Sequence, residues 1–135
     1  MRKGSHLESE MDRVLKFLDS LGIHGHKNHP KRTNDGKYLE GEPFDYEVFS
    51  PSGMWCFDTK ECEAEAWPLS KAKLSQVNNL MKCAQAGAQA FFLVWFVRRN
   101  KLIRFDAEMV AGRLGSKGAL SPEEGSEFDW QQFLK

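Results

Sequence analysis

The chain has 135 residues, 41% of them hydrophobic and 28% charged, a balance that fits one folded domain and excludes both a disordered chain and two independent cores. Lysine plus arginine and aspartate plus glutamate are matched at 19 each, so overall charge gives no pull toward a polyanion and any such contact must come from local clusters. The three cysteines, Cys56, Cys62 and Cys83, have no paired spacing and no leader-like segment precedes them; this reads as free thiols in a reducing cytoplasm. The longest apolar run, residues 90–97, is too short to span a bilayer.

Leu7, Met11, Val14, Leu15, Leu18 and Leu21 recur at helical spacing and Gly22 follows as a stop, which predicts an amphipathic first helix. Over residues 23–42 the apolar pattern disappears, and His24, His26, Lys27, His29, Lys31, Arg32 and Lys37 crowd what reads as a long basic loop or arm. The segments Phe44-Asp45-Tyr46-Glu47-Val48-Phe49 and Met54-Trp55-Cys56-Phe57-Asp58-Thr59-Lys60 are rich in aromatics, with Ser50-Pro51-Ser52-Gly53 between them as a turn; this is a β-hairpin. A second helix is expected from near Ser70, with Leu74, Val77, Leu80, Met81 and Ala84 on its buried face and Gly87 as terminator.

Residues 90–97 are apolar on both faces, as a central strand should be, and Arg98-Arg99-Asn100-Lys101 turns them into Leu102-Ile103-Arg104-Phe105. Asp106 is placed to cap a short helix through Val110. A Gly/Ser/Pro/Glu-rich end carries Phe128, Trp130 and Phe133, which reads as a tail docked by its aromatics. A helix joining the hairpin to the central strand makes a right-handed crossover, so those two strands run parallel in an α/β domain with a mixed sheet.

Strand alternation puts Asp58 and Lys60 on one face, with Thr59 and Glu61 on the other. A carboxylate and an ammonium emerging from a buried strand need a reason, because burying either one alone is costly. Phosphodiester hydrolysis supplies one: carboxylates hold a divalent ion, and a nearby lysine orients water or neutralises charge on the phosphate. Asp45, from the partner strand, offers a second carboxylate, and Glu47 shares its face. The same spacing also suits a solvated ion pair at a strand end. His24, His26 and His29 are too irregularly spaced, and Cys56 and Cys62 lack a Cys-x-x-Cys partner, for a structural zinc site.

From Lys3 to about Val110 the chain resembles the RecU-type and archaeal Hjc-type Holliday junction resolvases, a branch of the PD-(D/E)xK nuclease superfamily. The opening Lys3-Gly4-Ser5-His6-Leu7-Glu8 matches the family's Lys-Gly-x-x-x-Glu, Pro43-Phe44-Asp45-Tyr46 its hairpin aspartate, and Phe57-Asp58-Thr59-Lys60-Glu61 its acid-x-Lys strand. Trp67-Pro68-Leu69 and Ser75-Gln76-Val77 look like the Pro-Leu and helix glutamine that follow. The departure is Asp58, where this branch usually has glutamate. On its own, Glu8 would read as a helix N-terminal acid favoured by the dipole.

The resemblance implies a restriction-endonuclease-like α/β domain, a central mixed β-sheet flanked by helices, over residues 1–112. A tail, 113–135, would dock on the core or on a dimer partner. Glu8, Asp45 and Asp58 would bind Mg²⁺ or Mn²⁺, Lys60 would position water or stabilise the pentacovalent phosphate, and Gln76 would line the site. The implied partners are branched DNA and a second copy of the chain, with no membrane, in a bacterial or phage-infected cytoplasm. DNA contacts are expected from Lys3, Lys27, His29, Lys31, Arg32, Lys37, Arg98 and Arg99. Two other readings remain: a related nuclease cutting duplex, nicked or flap DNA, and a non-catalytic DNA-binding module.

Overall fold

The structure, a computed structural model, describes residues 5–28, 44–115 and 118–135. The expected sites Lys3, His29, Lys31, Arg32 and Lys37 lie outside the described residues. The elements run, in chain order, α1 (Ser5–Ser20), β1 (His24–Lys27), β2 (Tyr46–Ser50), β3 (Gly53–Cys62), β4 (Trp67–Pro68), α2 (Leu74–Gln85), β5 (Gln89–Phe96), β6 (Lys101–Asp106), α3 (Ala107–Arg113), β7 (Ala119–Leu120) and β8 (Ser126–Glu127). A six-stranded sheet in the order β1-β2-β3-β5-β6-β8 forms the centre, and β4 pairs separately with β7. Only β3 and β5 are parallel among its pairs, so the sheet is mixed, as the crossover through α2 requires.

The sheet divides the interior in two. On one face Met11, Val14 and Leu18 of α1 pack with Tyr46, Val48, Trp55, Phe57, Phe91 and Leu93. On the other, Val77 and Leu80 of α2 and Ala107 and Val110 of α3 cover Cys56, Ala90, Phe92, Val94 and Phe105. The alternation along β3 and β5 assigns each side chain to its layer, and β5 is buried on both faces because helices cover both. Phe128 and Phe133, from the end of the chain, fill the α1 side against Trp55 and Phe57, while β8 adds a strand beside β6.

Three details differ from the sequence reading. Residues 24–27 are not loop but an edge strand, which the apolar pattern could not reveal because its covered position is Gly25. There a Cβ atom would run into the Leu15 side chain of α1, so the strand approaches the helix with no side chain to signal it. The second helix begins at Leu74 rather than near Ser70, because Leu69–Lys71 forms a 3-10 turn first. Leu74 itself is exposed, as is Leu21 at the end of α1. Asp106 stands at the start of α3, but its carboxylate accepts from Arg104 Nε at 2.6 Å instead of capping the helix.

Gly22 does end α1. It takes the left-handed conformation at φ 80, and the N–H groups of Gly22 and Ile23 close back on Asp19 and Leu18.

Candidate active site

Asp45 sits at the bend leading into β2, one residue before the Tyr46↔Phe57 pair, so it faces Asp58 across the hairpin. The Asp45 N–H donates to Asp58 Oδ1 at 2.8 Å, and Asp45 Oδ2 accepts the Thr59 N–H at 3.1 Å. Backbone donors therefore hold one oxygen of each carboxylate. Asp58 is only 1% exposed, and its second oxygen, Oδ2, is buried with no hydrogen-bond partner among the described residues. Burial, and next the charge of Asp45, push the Asp58 carboxyl up to about 7, against the opposing pull of Lys60.

Lys60 follows on the same strand face and turns toward α2. Its Nζ donates to Gln76 Oε1 at 3.1 Å. Burial holds its ammonium below the usual range, while Asp58 and Asp45 pull the other way. The crossover brings the third residue of α2 over the strand, because α2 packs on the face to which Asp58 and Lys60 point. Asp58 thus lies against Asp45, and Lys60, two residues on along the same strand face, against Gln76.

Glu8 is placed differently. Helix α1 covers the opposite face of the sheet, and Glu8 Oε2 lies 3.7 Å from Lys27 Nζ. Among the described residues, no three His, Cys, Asp or Glu side chains stand close enough to hold a metal ion together. Glu8 and Asp45 nonetheless act on a common group: with burial foremost, their charges raise the Tyr46 hydroxyl, which is buried and has no hydrogen-bond partner among the described residues. Sequence reasoning passed over Tyr46, which reads as an ordinary aromatic of a strand. Glu61 proves to serve α1, accepting the Leu7 N–H at 2.8 Å.

Of the expected DNA contacts, Lys27 is half-buried between Glu8 and the Tyr46 ring rather than free on an arm. Arg98 and Arg99 are exposed on the turn after β5, where Arg99 pairs with Glu123 at 2.8 Å. The undescribed segment 29–43 is flanked by a clamp beside the site: Asn28 N donates to Asp45 O at 2.7 Å, and Asn28 Nδ2 to Phe44 O at 2.9 Å.

Two carboxylates with hard oxygen donors, one of them holding an orphaned buried oxygen, fit a divalent cation such as Mg²⁺ or Mn²⁺. The adjacent Lys60–Gln76 pair presents a positive donor to any anion that reaches the pair of acids.

The family model described as Recombination protein U matches residues 19–118, a span that contains Asp45, Asp58, Lys60 and Gln76 and begins after Glu8. In fold the chain is similar to Hjc of Archaeoglobus fulgidus, a Holliday junction resolvase from an archaeal hyperthermophile. The TM-score is 0.62 at 15% identity, over 92% of this chain and 95% of that one. No curated protein sequence matches.

Proposed function

This chain belongs to the Recombination protein U family, and from that premise we propose that it is a Holliday junction resolvase whose phosphodiester cut is made at Asp45, Asp58 and Lys60. The observation that carries the site is Asp58 Oδ2, a buried carboxylate oxygen without a partner among the described residues, whose burial is costly until something positive meets it.

Asp45 and Asp58 would hold a Mg²⁺ or Mn²⁺ ion, with Glu8 as a further carboxylate once released from Lys27. When bound, such an ion neutralises the phosphate and eases ionisation of water. The chain's own residues do the positioning. Backbone N–H groups fix one oxygen of each carboxylate, and the other oxygen of each would meet the cation. Lys60 donates from its ammonium to the attacking water or to a phosphate oxygen, and Gln76 holds that ammonium in place. In-line attack of water leaves a 5′-phosphate and a 3′-hydroxyl.

Two symmetric cuts in a four-way junction call for two such sites, so a homodimer is the economical assembly. Arg98, Arg99 and the basic residues Lys31, Arg32 and Lys37 would contact phosphates, so that junction shape guides binding more than base sequence.

The test is cleavage of matched four-way junction, linear duplex and flap DNA in Mg²⁺. Preferential, paired cuts in the junction support the reading. Equal cutting of duplex and junction sinks the resolvase but spares the nuclease, and no cutting of any substrate sinks both. For the dimer, a purely monomeric mass with and without junction tells against it.

A further inference from the structure

A cleft of about 420 Å³ opens where β3 ends, between its last residues and the turn entering α2. Trp67 and Pro68 line it, and three lysines converge on it: Lys60 from the site, with Lys71 and Lys73 from the connection to α2. Ala72 is buried between the latter two and runs on in extended backbone, which anchors the segment and leaves both lysines exposed.

Neither Lys71 nor Lys73 makes an ion pair with any described residue. Two acids share the cleft: Glu61, one oxygen of which accepts the Leu7 N–H, and the exposed Glu63. Three lysines outnumber the two acids that share the cleft, and like charges gathered in excess in this way are stabilised when an anion enters.

We infer that Lys71 and Lys73 form a phosphate clamp, holding the DNA backbone beside the phosphate that Lys60 addresses. The ligand is a nucleic-acid strand read through its phosphates. Lysines act there as point charges, which fix position and carry no base preference. The clamp rests on the proposal that the β3 site cuts DNA. It adds two contacts that sequence reading did not single out and places them on the α2 side of the site.

The test is a salt series of binding to a fluorescent four-way junction in EDTA, so that no cutting intervenes. The double variant Lys71→Gln, Lys73→Gln should bind more weakly, and losing two phosphate contacts should make its log–log salt slope shallower by about 1.8. Lys71→Arg with Lys73→Arg should keep the wild-type slope, and so should Lys82→Gln, at the far end of α2. Wild-type affinity and slope in the double variant would overturn the clamp, as would an equal loss in Lys82→Gln or no junction binding by the wild-type chain. Failure of the nuclease reading is separate: it shows as absent cleavage in Mg²⁺ while the slope still changes.

Discussion

Asp45 donates its backbone N–H to the carboxylate of Asp58 across 2.8 Å, while its own carboxylate accepts from the residue after Asp58 at 3.1 Å. The two acids are locked face to face by main-chain donors, so neither can swing away from the other's charge. A like-charge pair with one member buried, as Asp58 is, favours protonation of one member until a cation arrives. The geometry prepares the site by leaving it unsatisfied.

Stability of the metal-free protein should therefore fall as pH rises through neutrality. Asp58 ionises at 3.8 in its ordinary state and near 7 in the fold. A carboxyl raised in this way contributes its stability fully below the unfolded value and loses it as pH climbs through the folded one. Melts in EDTA should show a lower Tm at pH 8 than at pH 5.5, and Asp58→Asn should reduce that difference. An Asp58→Asn protein with the wild-type pH slope would refute the assignment. With Mg²⁺ present the slope should weaken, and metal uptake near pH 7 should release a proton.

Lys60→Ala should cut the cleavage rate by about 10²–10³-fold while the protein still binds junction DNA. Gln76→Ala should cost less, roughly 10–100-fold, as loss of an orienting partner commonly does. Gln76 acts through Lys60, and its oxygen favours the charged ammonium. Its loss should therefore move the alkaline limb of the pH–rate profile to lower pH. An unmoved limb would reduce Gln76 to a packing role.

Glu8 offers a sharper separation between metal ligand and helix acid. If it joins Asp45 and Asp58 in holding the ion, Glu8→Gln should raise the Mg²⁺ needed for half-maximal cleavage by about 10–100-fold. Lys27→Ala, which releases Glu8 from its 3.7 Å partner, should leave that requirement unchanged or lower it. A Mg²⁺ dependence untouched by Glu8→Gln would return the residue to its role at the start of α1.

Phe133 is fully buried against Trp55 and Phe57, two residues of the strand that carries the site. Phe133→Ala should destabilise the protein by about 3–5 kcal/mol, read as a shifted denaturant midpoint. A change within error would mean that the end of the chain is not part of the core beneath β3.

Much of the site was legible in the order of residues. Asp58 and Lys60 had to share a strand face because side chains alternate, and the Gly-bounded turn had to bring Asp45 back alongside. The parallel β3–β5 pairing followed from the handedness of crossovers, whereas Gln76 was indicated only by the family resemblance, and its bond to Lys60 is a fact of the tertiary structure. β1 was not legible, because an edge strand whose inward residue is glycine has no apolar period. The Tyr46 hydroxyl looked like any aromatic until α1 and the hairpin enclosed it without a partner.

For Asp45 and the Asp58-Thr59-Lys60 strand, the sequence by itself determined which side chains meet, because local periodicity decides the face on which each residue emerges. Only the tertiary structure decided their condition. Asp58 is sealed from water with one oxygen unpartnered among the described residues, Glu8 is drawn across to Lys27 on the far face, and Lys71 and Lys73 are gathered around a common cleft. Burial and charge proximity arise from segments distant in the chain, and spacing along one strand carries no record of them.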